Sequence, residues 1–179
     1  MSLFQAVMGE AFGRLAPPLQ HFHSLKGRHA LEGRVQADAP LSRAARVLAL
    51  CLGTPREAMT GVIRFDVDAS IDRESWTRHF PQHVMRSRMQ RDGDQLVESL
   101  GPVRLHFTLV ERGGALHMHL TVMRILGLPC PRWLLPAVHA VESARDGAVC
   151  FDVRASLPWT GTVSAYRGHL LLPAQRSAP

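Results

Sequence analysis

Between Pro102 and Arg124 the sequence PVRLHFTLVERGGALHMHLTVMR sets two runs of strict alternation on either side of Glu-Arg-Gly-Gly. That is the pattern of a β-hairpin. Side chains on a strand alternate faces with a period of two. Val103, Leu105, Phe107 and Leu109 therefore share one face of the first strand, and Leu116, Met118, Leu120 and Val122 share it on the second. With Arg112-Gly113 as the two-residue turn, Thr108 falls opposite His117, His106 opposite His119, and Arg104 opposite Thr121. One face is aliphatic, and the other carries Arg, Thr and three His. A two-faced hairpin of this length must bury one side, and the rest of the chain has to supply the cover.

Most of the cover is more strand. Ile63, Phe65, Val67 and Ala69 alternate with Arg64, Asp66 and Asp68; Trp76, Arg78 and Phe80 share one side of the next run. Met85, Ser87 and Met89 alternate with Arg86 and Arg88 before an Asp92-Gly93 turn, and Gln95–Leu100 returns. After the central hairpin, Gly127–Pro136 carries three prolines and reads as a loop or one helical turn. Ala137–Ala144 and Ala148–Leu157 form a hairpin around Asp146-Gly147, with Val149, Phe151, Val153 and Ala155 inward, and Thr162–Leu172 is the last strand. The tail after Pro173 is expected to fray.

The start of the chain is helical. Leu3, Phe4, Val7, Met8, Phe12 and Leu15 lie on one stripe of a helix over 3–15 that Pro17-Pro18 ends, and a helical turn over Leu19–Leu25 follows. Ala30–Ala37 is a first strand. Ser42 caps a helix over Arg43–Leu52, and Gly53 followed by Pro55 stops it. That helix is apolar on most sides, so it is expected in the core or plugged into the mouth of a barrel. The fold class is mainly β (α+β): a curved antiparallel sheet or barrel of about nine strands with N-terminal helices packed on or into it. Closure also hides the sheet edges.

At 179 residues and 46% hydrophobic the chain can bury one core, and a single domain over 1–175 is expected. No apolar run is long enough to span a bilayer. The opening residues lack the layout of a signal peptide, so the cytoplasm is the expected compartment. Cys51, Cys130 and Cys150 are too scattered for a metal clip and read as buried small apolar residues. Only Lys26 among 21 basic residues is lysine, and the Arg residues are spread along the chain. A nucleic-acid binder concentrates its charge on one face, so that class of partner is disfavoured.

Several landmarks occur together: SLFQAVMGEAFGRLAPPLQHFH at the start, Glu32-Gly33-Arg34, WTRHF from Trp76 to Phe80, LGLPCPRWLLP after the hairpin, and Tyr166-Arg167-Gly168 near the end. In these the chain resembles a bacterial domain family of unknown function. In that family the domain occurs alone or behind a saccharopine-dehydrogenase-like or short-chain reductase domain. The resemblance implies domain boundaries near both ends, pattern positions at Trp76, Arg78, Pro129, Tyr166 and Gly168, and a reductase-like protein as a partner. His117-Met118-His119 is no part of that pattern.

Two constellations carry chemistry. His106, His117 and His119 would form a facial three-nitrogen set for Zn or Fe if the hairpin brings them together; the alternative is a polar strand face without a task. Trp76 with Arg78, Tyr166 with Arg167, and Arg86 or Arg124 would line a cavity, Arg holding a carboxylate or phosphate head group bidentately while the aromatics bound an apolar body. The alternative is a core Trp with Arg side chains at its rim. Asp66, Asp68 and Asp72 fall on the outward parity and read as solvated. No nucleophile elbow, phosphate-binding loop, dinucleotide fingerprint or His-Glu-x-x-His occurs. The expected activity is cofactor-free, non-catalytic binding of a small apolar or amphipathic ligand. The rivals are an enzyme, metal-dependent or cofactor-free, using the three His, and a structural or partner-binding module.

Overall fold

A computed structural model describes residues 1–173; the tail expected to fray lies outside them. The chain opens with α1 (Leu3–Met8), a 3-10 helix (Gly9–Arg14) and α2 (Pro17–Phe22). The single helix expected over 3–15 breaks at Gly9, whose φ of 55° no ordinary helical residue adopts. Ser2 and Gln5 close a capping box at its start. The turn expected from Leu19 begins at Pro17, where a ring-fixed φ suits a helical first turn, and ends at Phe22.

The strands are β1 (Gly27–Asp38), β2 (Met59–Ala69), β3 (Arg73–Phe80), β4 (His83–Asp92), β5 (Gln95–Leu100) and β6 (Val103–Arg112). They continue as β7 (Ala115–Ile125), the two-residue β8 (Leu128–Pro129), β9 (Ala137–Arg145), β10 (Ala148–Leu157) and β11 (Gly161–Leu171). Antiparallel pairing runs from β6 back through β5, β4, β3 and β2 to β1, then through β11, β10 and β9 to β7, and β6–β7 closes the ring. The result is a closed ten-strand barrel with β8 as a short extra strand beside β7. Against an expectation of about nine strands the barrel has ten, each falling on one of the alternating runs read from the sequence.

The central hairpin differs from its expected register. Arg112 pairs with Ala115, so Gly113-Gly114 is the turn, with φ of 59° and 80°. A type I′ turn needs positive φ at both central positions, which Gly-Gly meets and Arg-Gly does not. The register therefore moves by two: Thr108 faces His119 and Val110 faces His117. A bulge next to His106 then shifts it again, so His106 faces Val122, and Met123 rather than Val122 turns inward.

α3 (Arg43–Leu52) has the expected Ser42 cap and left-handed Gly53 stop. Its orientation differs. Ala45 and Ala49 bury against Val163, while Val47 and Leu50 face outward, so the helix lies on the barrel rim rather than inside it. The cysteines also differ from expectation: Cys51 is exposed and Cys130 and Cys150 are half-buried.

The ends of the barrel are unlike. The turn at Gly113-Gly114 meets the N-terminal segment through Ala16 N–H donating to the Gly114 carbonyl. At that end Leu3, Phe4, Phe12, Leu19 and Phe22 form a plug that packs on Phe65 and Trp76. At the other end lie α3, the β5–β6 turn, the segment between β7 and β9, and the β10–β11 turn. There β7 and β9 part: they pair only from Leu116 to Met118, near the plug, and diverge beyond it.

Candidate functional site

The barrel interior holds two adjoining cavities. The larger, about 110 Å³, reaches toward the α3 end. Its walls are mostly apolar, with Met85, Met89, Leu105, Phe107, Met118 and Met123 among them. The smaller, about 30 Å³, lies toward the plug between Phe22, Phe65 and Val149. Trp76, Arg78, Glu142, Val153 and Tyr166 line both. The larger cavity persists because β7 and β9 separate there, leaving Met123 and Val138 across a gap that no strand pairing closes.

A polar cluster sits on this shared wall. Arg78, only 6% exposed, donates to Ser87 Oγ at 3.0 Å and reaches Glu98 Oε1 at 3.5 Å. Its guanidinium also lies over the faces of Trp76 at 5.0 Å and Phe65 at 5.3 Å. Trp76 Nε1–H donates to Glu74 Oε2 at 2.9 Å. His23 Nε2 and Glu142 Oε2 are 2.6 Å apart, sharing a hydrogen bond between the plug and β9. Strand parity places these groups inside: Glu74, Trp76, Arg78 and Phe80 alternate inward on β3, and Glu98 lies between inward Leu96 and Leu100 on β5.

The electrostatics of the cluster are acid-rich. Glu74, Glu98 and Glu142 are all buried, against one guanidinium and one imidazole. Burial pushes the Glu74 carboxyl above the usual carboxylate range, opposed by the charge on His23 and the Trp76 hydrogen bond. Burial likewise raises the Tyr166 phenol, against the pull of Arg78, so it stays a neutral hydroxyl at physiological pH. The Ser164 hydroxyl lines the larger cavity and, buried, has no hydrogen-bond partner among the described residues. His23 Nδ1 is likewise buried without a hydrogen-bond partner among the described residues, its ring packed on Phe4.

Of the residues singled out in the sequence, Trp76, Arg78 and Tyr166 line the cavities. Arg86, Arg124 and Arg167 do not: all three are exposed, on the outward parity of β4, β7 and β11. Arg167 donates to Gln36 Oε1 on the outside of the barrel. The three His are not assembled. The bulge sets His106 opposite Val122 and beside Asp92, with 3.8 Å from Nδ1 to the carboxylate, and the rings of His117 and His119 are 6.4 Å apart on the outer face. Desolvation, helped by Arg112 and its His neighbours, lowers the pKa of His117. Among the described residues no group of three His, Cys, Asp or Glu is placed to hold a metal ion. Asp66 and Asp68 face outward, where Asp66 accepts from Arg64 and pairs with His79. Glu74, Glu98, Glu142 and His23 carry the polar wall and were not singled out. The inward parity of the three carboxylates was their available signal.

No helix among the described residues is long and apolar enough to cross a membrane. No curated protein matches the chain. Among solved structures, the crystal structure of Rv2717c from M. tuberculosis is similar at 12% identity, with 89% of this chain and 99% of that one covered and a TM-score of 0.47. The family model described as "Domain of unknown function (DUF4166)" matches residues 15–170. The chain belongs to the DUF4166 family.

Proposed function

We propose that the barrel binds a small amphipathic molecule in its interior, with the apolar body against the Met and Leu wall and a hydrogen-bonding end at Arg78, Tyr166, Ser164 and Glu142. The observation that carries this is a cavity of about 110 Å³ with an apolar wall and polar groups converging on one side. Its size bears on the ligand class. An apolar cavity of about 150 Å³ admits benzene, and this one is smaller, so the occupant is at most a single ring unless the wall at the β7–β9 gap gives way.

The charge balance bears on the polar end. The single guanidinium is engaged by Ser87 and Glu98, and the buried carboxyl groups of Glu98 and Glu142 line the cavity. An anionic head would meet repulsion there, whereas a neutral donor group or a protonated amine would find acceptors. The sequence pointed to Arg as a grip for a charged head; the pairing of Arg78 favours the opposite sign.

Native mass spectrometry of the intact chain, compared with its denatured mass, tests the reading. The expected result is extra mass of a small organic molecule that is lost on denaturation, or gained on incubation with ring-sized amines or phenols. A chain that carries no adduct and gains none from such compounds contradicts it.

A further inference from the structure

The α3 end of the barrel leaves large apolar side chains in solvent on three separate segments. Val47 and Leu50 (59% exposed) project from α3, Leu126, Leu128 and Trp133 (68%) from the β7–β9 segment, and Trp159 (85%) from the β10–β11 turn. Contacts tie these segments into one rim. Ser42 Oγ donates to the Thr160 carbonyl beside Trp159. At the other end of α3, Gly101 lies against the Cys51 carbonyl, and Leu126 N–H donates to the carbonyl of neighbouring Pro102. Isolated exposed apolar residues are ordinary, but a continuous rim of them marks an interaction surface.

Charge at the same end says what kind of surface. Arg43 and Arg46 on α3, Arg56 after it, Arg124 at the end of β7 and Arg132 beside Trp133 are exposed there. Asp38 and Glu57 are the acids on those segments. At the plugged end Asp72, Asp92, Asp94, Glu111 and Asp146 are matched by Arg73, Arg91, Arg112 and Arg145, with Arg14 and Lys26 nearby. The α3 end therefore carries an excess of basic over acidic groups, whereas the plugged end is balanced.

We infer that this rim docks on an anionic lipid surface, with Trp133, Trp159 and Leu50 entering the interface and the Arg ring against lipid headgroups. Trp favours the headgroup layer, where its ring is apolar and its N–H is wet. Apolar side chains and basic groups together bind anionic bilayers by burial plus Coulomb attraction. A soluble protein partner would need one shaped surface to meet three protruding tips, whereas a bilayer takes each tip independently. The docking does not depend on the cavity being occupied.

The test is flotation of the full chain with phosphatidylcholine vesicles, with and without phosphatidylglycerol. Two variants accompany it, L50E/W159E and R43E/R46E, each first shown to melt as the unmodified chain does. Binding is expected only with phosphatidylglycerol, weakening as salt rises, and falling at least about tenfold in either variant. Absence of binding to both vesicles overturns the inference, as does binding that neither variant changes. A solution dimer that L50E/W159E dissociates overturns it too, because a second copy would then be what covers the rim.

Discussion

The plugged end and the α3 end of this barrel are made from the same strands and solve the same problem differently. At the plugged end, Leu3, Phe4 and Leu19 are fully buried and His23 is tied to the wall through Glu142. At the α3 end only Ala45 and Ala49 of the covering helix are fully buried, with Leu48 and Leu52 half-buried beside them; β7 and β9 part, and a cavity remains. A small barrel fills with side chains or holds a ligand. This one is filled with side chains at one end and keeps an open cavity toward the other.

The contrast has measurable consequences, largest first. Phe4→Ala should cost about 3–5 kcal/mol in chemical denaturation, since a fully buried aromatic leaves a cavity among Trp76, His23 and their neighbours. Glu142→Ala should cost about 3 kcal/mol, because it strands His23 with neither ring nitrogen hydrogen-bonded. A loss well under 1 kcal/mol for either would mean the plug does not carry the fold.

The acid-rich wall predicts a pH effect. The raised Glu74 carboxyl holds its proton in the folded chain at pH values where the unfolded chain, near 4.5, has lost it. Stability therefore falls as pH rises from 4.5 until the folded group also ionises, and is flat beyond. Glu74→Gln, which keeps an acceptor for Trp76, should remove that fall in urea melts taken from acidic to neutral pH. An unchanged slope would place the dependence on another group. Smallest of all, Leu50→Gln or Trp159→Ser at the mouth should move stability by no more than about 0.5 kcal/mol, and a thermal melt that drops as far as that of Phe4→Ala would erase the distinction between the ends.

The sequence made the strands legible because alternation is a local property. Trp76, Arg78 and Phe80 could be placed on one face without knowing what lay opposite, and so could Met85 and Met89. Closure into a barrel needed only the number of strands and the helices available to plug them. Features set by pairing across strands were not legible in the same way. The turn at Gly113-Gly114 moved the hairpin register by two, and the bulge beside His106 separated it from His119. A triad drawn from spacing on single strands did not survive either change. Arg86, Arg124 and Arg167 illustrate a second limit, because residue type suggested a ligand grip while parity put all three outside. The same parity would have found Glu74 and Glu98, carboxylates on the inward side of otherwise apolar alternation. A charge on the wrong face of a strand was a sharper signal of the site than a charge of the expected kind beside an aromatic residue.

The most direct test of the cavity is a thermal-shift comparison of benzylamine, phenol and benzoate on the unmodified chain and on Ala140→Leu, which fills the wall shared with Val138 and Glu142. A ligand that binds only the folded chain raises its melting temperature with concentration. The account predicts stabilisation of the unmodified chain by benzylamine or phenol but not by benzoate, and loss of that stabilisation in Ala140→Leu. Stabilisation by benzoate alone, equal responses in both chains, or no response to any of the compounds would contradict it.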